Sequence, residues 1–524
     1  MLLMICPCLE VRMIVLNTAA ILVDKAAVKF GDKTAFRCSQ ETLSFFDLQR
    51  KAKAVGSFLI GATSKGAAPI AVYLPKSCSC IVSFFGALYA GKSYVPLNHK
   101  SPIARIKSTV ETLCPQAIIT NAEGKALLES FYDADKLYVF DEIIQAELNS
   151  EAIDEVLDAV IDTDPIYILF TSGSTGTPKG VTVSHKSVID YAQWVVETFA
   201  YDSSTILANQ APFHFDNSVY DIYSALLSGA EVIIAPESLF AVPLKIPKWL
   251  DDNRVTAIFW VPTIMIAVAN SGALRTSTPS SLKVVTFAGE AMPNQQLNIW
   301  RQELPNCLYA NLYGPTEITV DCTYYIVDRD FLDVDPLPIG KARKNMRTYI
   351  LDEHGKQSRV GDKGELHVSG TGLALGYWRN VHLTSEVFIE NPIDGMQFER
   401  VYATGDICWQ DEEGLIYWTG RKDDQIKRQG NRIELGDIEC AAAGLEYVDR
   451  TCVLFDSETD DIYIFVESSQ RISLLSINKD LSTSLPSYML PTKVIELKSF
   501  PMTSNGKIDR VRLREDFLTT TKEH

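Results

Sequence analysis

No apolar run of about eighteen residues or more occurs in the 524-residue chain, so no transmembrane helix is expected. Basic charge is in deficit. The chain has 49 lysines and arginines against 66 aspartates and glutamates, a net charge of −17. A surface of that sign excludes duplex nucleic acid or an anionic membrane as the main partner. Paired cysteines are lacking too. The eleven cysteines are scattered, and the C-x-C pairs Cys6/Cys8 and Cys78/Cys80 have no second pair or histidine cluster to complete a zinc set. The odd count and the enzyme-like size favour reduced thiols and a cytoplasmic location. The opening Met1-Leu-Leu-Met-Ile-Cys-Pro-Cys has no basic start and no small-residue cleavage site, so it is not read as a secretory signal. Residues 1–12 read as an extension without a role in the fold. Internal repeats and low-complexity tracts are absent.

What remains is a globular enzyme's composition, 46% apolar and 22% charged, in a chain too long for one ordinary domain. From Asp24 to Leu239, β-branched runs such as Ala71-Val-Tyr-Leu, Ala117-Ile-Ile-Thr and Ala230-Glu-Val-Ile-Ile-Ala alternate with helical stretches. Val255-Thr-Ala-Ile-Phe-Trp-Val, Leu282-Lys-Val-Val-Thr-Phe and Leu308-Tyr-Ala-Asn-Leu-Tyr continue the series. The expectation is an α/β fold with doubly wound, mostly parallel sheets. After Thr348 the turns crowd together and the runs become short and β-rich, as in a small barrel or meander. The charged stretch after Gly420 is a boundary candidate, giving a core over 13–420 and a small α+β unit over 421–524.

The most telling segment is Leu169-Phe-Thr171-Ser172-Gly-Ser-Thr-Gly-Thr-Pro-Lys179-Gly-Val181. A strand-like run enters a loop of hydroxyls and glycines that ends in one lysine. Glycines let backbone N–H groups wrap an anion, and the lysine adds charge, so the loop predicts a nucleoside triphosphate. It is not a Walker A loop, because Pro178 precedes Lys179 and the Gly-Lys-Ser/Thr ending is missing.

Four other segments place polar groups where a fold alone does not need them. Asn311-Leu-Tyr-Gly-Pro-Thr316-Glu317 makes a tight turn after a strand, and a carboxylate beside a triphosphate loop is a natural Mg²⁺ ligand. The bland alternative is a β-turn with a solvated glutamate. Tyr402-Ala-Thr-Gly-Asp406 places a carboxylate at an expected strand end, where paired hydrogen bonds can hold a ribose diol. Gly420-Arg421-Lys-Asp423-Asp-Gln425-Ile-Lys427 continues to Arg432-Ile-Glu434; taken alone, a charge run of this kind is a solvated linker. Pro501-Met-Thr-Ser-Asn-Gly-Lys507 carries a lone lysine in a polar loop.

Together these segments resemble the adenylate-forming superfamily, which includes nonribosomal peptide synthetase adenylation domains, acyl-CoA synthetases and luciferases. Pro96-Leu-Asn-His-Lys-Ser-Pro102, Gly372-Leu-Ala-Leu-Gly-Tyr-Trp378 and Leu485-Pro-Ser-Tyr-Met-Leu-Pro491 extend the similarity, in the family's order, from about residue 20 to 515. The resemblance implies a large core and a mobile C-terminal lid, ATP and Mg²⁺ as cofactors, and formation of an acyl-adenylate followed by transfer to a thiol. It implies that Lys507 bridges the reacting carboxylate and phosphate, and that Thr171, Ser172 and Lys179 close over pyrophosphate. His214 joins them as a catalytic group. Gly289, Glu290, Ala291, Asn311, Tyr313, Gly314 and Thr316 are implied around the nucleotide. Asp406 and Arg421 are implied at the ribose, Glu317 at the metal and Asp423 at the hinge.

The acid is indicated by Pro212-Phe-His214-Phe-Asp216-Asn217-Ser-Val-Tyr220. In amino-acid-activating members an aspartate at the place of Asp216 pairs with the substrate ammonium. A buried carboxylate needs such a partner, whereas a helix N-cap is the structural alternative. The resemblance places Asn217, Tyr220, Phe259, Thr286, Ala288, Leu312, Val320 and Asp321 around the substrate side chain. Asp321 suggests a cationic or hydroxylated group, or else an ion pair with an arginine. A small polar, cationic or cyclic (proline-like) amino acid is expected. Only Ile508 to His524 follow Lys507, so a free-standing enzyme that loads a separate phosphopantetheine-bearing carrier protein is expected. The competing readings are an acyl-CoA synthetase using free coenzyme A and a non-catalytic nucleotide-binding protein.

Overall fold

The computed structural model describes residues 17–66, 68–171, 178–393, 395–396, 398–423, 425–468, 470–502 and 508–519. Among these, two mostly parallel sheets form the core. In one, Leu137–Val139, Ala117–Thr120, Ile70–Tyr73, Tyr94–Pro96 and Pro165–Thr171 run parallel, and Lys179–Ser184 turns back antiparallel to Pro165–Thr171. Ile70–Tyr73 and Ala117–Thr120 are buried at every position, as strands covered on both faces must be. The glycine-hydroxyl loop connects the strand ending at Thr171 to the one starting at Lys179. Its residues 172–177, Ser172 included, lie outside the described residues, as does Lys507.

The second sheet places Glu231–Ile234, Ile206–Asn209, Ala257–Trp260, Val284–Phe287 and Leu308–Tyr313 side by side in parallel. Their carboxyl ends deliver the segments around Asp216, Val261, Gly289 and Thr316 to one edge, where open α/β sheets bind ligands. The fold class is therefore the expected one. A curled antiparallel sheet follows, built from Met346–Leu351, Gly364–Gly370, Phe388–Glu390, Arg400–Gln410 and Ile416–Arg421. Here one expectation needs correcting. Asp406 lies inside the long strand Arg400–Gln410, not at its end. Gly405 takes a φ of +74°, and the pairing register slips between Ile407 and Cys408. Such an irregularity re-aims a side chain without ending the strand.

Beyond Arg421, the hairpin Gln425–Arg428/Asn431–Glu434 leads to a three-stranded sheet with the helices Leu435–Ala443 and Leu474–Leu481. Ile433, Ile438, Ile464 and Ile477 form a core of their own there. Among the described residues, nine cysteines are free, and no helix is long and apolar enough to cross a membrane.

Candidate active site

A central cleft of about 120 Å³ lies between the sheet ends and the 425–434 hairpin. Thr171, His214, Asp216, Asn217, Gly289, Gly314, Thr316, Asp406 and Arg421 line it, joined by Gln425, Lys427 and Arg432 from the hairpin. Segments far apart in sequence share this wall because the parallel strands end at one edge and the hairpin folds back over it.

Glu317 sits in a single 3-10 turn, Thr316–Ile318, and is fully buried. The main chain there is strained. Thr319 and Val320 have φ of +60° and +68°, and a Cβ on Gly314 would lie 2.3 Å from the Val320 carbonyl oxygen. Ala374 N–H donates to the Glu317 carbonyl at 2.9 Å, and the Thr319 hydroxyl to the Gly372 carbonyl at 2.7 Å. The Gly372–Trp378 segment therefore braces the turn. The Tyr377 hydroxyl donates to Glu317 Oε1 at 2.7 Å, and Arg432 Nη1 lies 2.7 Å from Oε2. Lys179 Nζ is 3.9 Å from Glu317 and 3.6 Å from Glu434. Burial pushes the Glu317 carboxyl up, but Arg432, Lys179 and Tyr377 outweigh it and hold its pKa at about 2. The solvated-glutamate alternative is thereby excluded.

Asp406 is buried and already well supplied with donors. Tyr313 donates to it at 2.5 Å and Trp418 Nε1 at 2.8 Å, while Arg421 Nη1 lies at 3.2 Å. Arg421 also forks onto Asp423 at 2.6 and 2.7 Å, tying the residue expected at the hinge to Asp406. Asp216 begins the helix Asn217–Ser228 but makes no side-chain capping bond, so the N-cap alternative fails. Burial raises its pKa, while Thr316 and Lys427 favour the charged form. His214 is pushed down to about 4 by burial and by His99, so its imidazole is neutral. The Thr171 hydroxyl is buried without a hydrogen-bond partner among the described residues, a donor left over for an anion.

The other residues expected around the nucleotide divide. Gly289, with φ of +98°, lets the chain turn at the cleft wall. Glu290 accepts from Thr263 N–H and hydroxyl and, at 2.7 Å, from Gly430 N–H at the hairpin tip. Asn311 spends its amide on the Pro338 carbonyl at 2.9 Å, and Ala291 is exposed. Tyr313 lies beneath the Lys427 ammonium, 5.8 Å from its ring centre.

Residues 23–378 match the AMP-binding enzyme family. The chain belongs to that family. It is 32% identical over 501 residues to zwittermicin A synthase ZmaJ of Bacillus cereus, covering 93% of both chains. It is 30% identical to the L-proline–[L-prolyl-carrier protein] ligase of Streptomyces coelicolor, covering 91% of this chain and 92% of that one. The fold matches the Vibrio cholerae adenylation domain AlmE, solved with glycyl-adenosine-5'-phosphate, at a TM-score of 0.80 and 20% identity, covering 96% and 98%. This AMP-binding enzyme is an AMP-forming ligase.

The residues expected around the substrate side chain form no open pocket. Tyr220, Phe259, Thr286, Ala288, Leu312, Val320 and Asp321 are all buried, and only Asp216 and Asn217 of the expected set line the cleft. The Tyr220 ring stacks on Phe259 at 4.3 Å, and its hydroxyl meets Tyr201 at 2.9 Å and Thr286 at 3.4 Å. Asp321 accepts from Tyr191 at 2.7 Å, and burial pushes its pKa up to about 7. The nearby Arg343 donates to the main-chain carbonyl of Asp321 at 2.9 Å and pairs its charge with Asp190 at 2.7 Å. Trp418, Lys427, Arg432 and Tyr377 were not singled out as site residues in the sequence. Their two-residue spacing from Glu434 and Gln425 was a strand signal for Arg432 and Lys427; nothing marked Trp418.

Proposed function

We propose that the enzyme activates an amino acid as its aminoacyl-adenylate and passes it to the phosphopantetheine thiol of a separate carrier protein. The observation that carries this reading is Asp216, a desolvated carboxylate on the cleft wall whose side chain makes no helix-capping bond and so is left to pair with a substrate ammonium beside Lys427. In the first step a substrate carboxylate oxygen bonds to the α-phosphorus of ATP, and the bond to pyrophosphate breaks. In the second, a thiolate sulfur bonds to the acyl carbon and AMP leaves. Two anions must meet in the first step, so placement and charge neutralisation supply most of the rate.

The chain's own groups fit those tasks. Thr171 and Lys179 stand at the two ends of the glycine-hydroxyl loop, facing the β- and γ-phosphates. Asp406, with Tyr313 and Trp418 behind it, receives the ribose hydroxyls, and Arg421 stands at the ribose or phosphate. His214 borders both the central cleft and a second cleft of about 490 Å³, which shares Leu97, Asn98, Phe215 and Gly430 with it. That second cleft is the route we assign to the thiol arm. Glu317, an ionised, hard oxygen donor, is the residue that would hold Mg²⁺, and the ion would supply neutralisation of the pyrophosphate charge. Lys507 bridges the two reacting anions, and residues 421–524 act as the lid that turns about Asp423.

The filled pocket selects the small polar end of the expected substrate class. Amino-acid-dependent ATP–pyrophosphate exchange tests the reading. Exchange with a small polar amino acid is expected, and Lys507→Ala should reduce it by about three orders of magnitude with ATP binding nearly kept. A panel in which only fatty or aryl acids support exchange would sink it, and transfer to free coenzyme A without a carrier would favour the acyl-CoA synthetase alternative.

A further inference from the structure

The 425–434 hairpin places charge as well as covering the cleft. Its register pairs Gln425 with Glu434 and Lys427 with Arg432. Side chains alternate along a strand, so these four share one face. That face brings a cation to each anionic pole of the cleft. Lys427 is half-buried, lining the cleft with Asp406 and Asp216, whose charges both act on it. Arg432 meets Glu317 Oε2 at 2.7 Å, with side-chain exposures of 14% and 0%. Lys179 is a weaker partner, at 3.9 Å and shared with Glu434. A carboxylate buried this deeply cannot be left without a cation. Glu317 Oε1 is held by Tyr377, so a metal ion bound to Oε2 must take the place of the guanidinium.

We propose that Arg432 is the resident counter-ion of Glu317 and gives way to the divalent cation, so that metal binding and hairpin docking exclude each other. The proposal rests on the reading of Glu317 as the metal ligand. It gives the hairpin a charge-matched reason to dock once the metal has left with pyrophosphate: Glu317 is then neutralised from the chain itself. The coupling is reciprocal, so docking weakens metal binding by the same factor that metal weakens docking. If the hairpin is docked about nine-tenths of the time, the apparent metal affinity is about tenfold below its intrinsic value.

The test uses the full-length protein with α,β-methylene-ATP and Mn²⁺ as the probe. Bound Mn²⁺ is counted by electron paramagnetic resonance, and amide hydrogen exchange over 425–434 is followed in the same samples. In the wild type, Mn²⁺ should reduce hairpin protection. Arg432→Gln should bind Mn²⁺ about three- to tenfold more tightly, with a hairpin that no longer responds to metal. Arg432→Lys should keep part of the response. Wild-type Mn²⁺ affinity in Arg432→Gln, or a wild-type hairpin indifferent to Mn²⁺, would overturn the proposal. Glu317→Gln binding Mn²⁺ as well as the wild type would overturn the metal assignment beneath it. Should Arg432→Gln not fold, the wild-type exchange response and Arg432→Lys decide the matter.

Discussion

Tyr220 is expected to set the size limit of the substrate. Its ring is fully buried, lies 4.3 Å from Phe259 at an interplanar angle of 24°, and is bonded through its hydroxyl to Tyr201. Held on these sides, it cannot swing aside for a bulky side chain. Tyr220→Ala should leave a cavity behind Asn217 and cost about 3–5 kcal/mol of stability, as for other buried aromatic-to-alanine changes. Each methylene seated in the space should return about 1 kcal/mol of transition-state binding. Leucine carries three more carbons than alanine, so its kcat/KM relative to alanine should rise by about 2–3 kcal/mol, or roughly 30- to 150-fold. Tyr220→Phe keeps the ring and serves as the control. It should lose about 1 kcal/mol of stability with an unchanged preference. The assay is ATP–pyrophosphate exchange across glycine, alanine, serine, proline, leucine and phenylalanine, with thermal melts for each variant. The reasoning fails if the wild type already activates leucine or phenylalanine as well as alanine or serine, or if Tyr220→Ala leaves the order of preference unchanged.

Other outcomes follow from the buried charges. The Glu317 carboxyl is held at about 2 in the fold against an ordinary 4.5, so its stabilisation, about 3 kcal/mol, is full above about pH 4.5 and lost as pH falls toward 2. Urea unfolding of the wild type and Glu317→Gln should therefore converge at the acid end. Asp221, also buried, has the opposite sign: burial pushes it up to about 7, so the native state keeps a proton that the unfolded chain sheds. Its contribution falls as pH rises from about 4 to 7, and Asp221→Asn should gain about 2 kcal/mol or more at pH 8 relative to pH 5. Equal effects at both pH values would contradict this. Trp418→Phe removes the 2.8 Å hydrogen bond to Asp406 and should raise the KM for ATP by about three- to tenfold with kcat nearly kept. An unaltered KM would deny Asp406 its place at the ribose.

Much of this architecture was legible in the chain. The apolar runs at Ile70, Ala117, Val284 and Leu308 are strands, and the turn at Gly314 leads into the buried carboxylate of Glu317. Local sequence reports these well because backbone conformation and burial period are properties of neighbours. The charge run after Gly420 was harder. Read as charge it is a solvated linker, yet Lys427 and Arg432 are half-buried on the cleft wall, because every second residue of the hairpin faces the cleft. Asp406 was expected at a strand end and lies within one, since a register slip leaves no trace in composition.

The sequence by itself determined the α/β class, the strands that end in polar turns and the expectation of a nucleoside triphosphate and an amino acid as ligands. Tertiary structure alone decided which cation meets which carboxylate. Arg432 reaches Glu317 across 115 positions, Trp418 stands on Asp406, and Tyr220 fills the pocket that Asp216 opens. Spacing along a chain records how each element faces its surroundings, but a buried ion pair depends on two elements arriving at one place, and no local pattern encodes the second arrival.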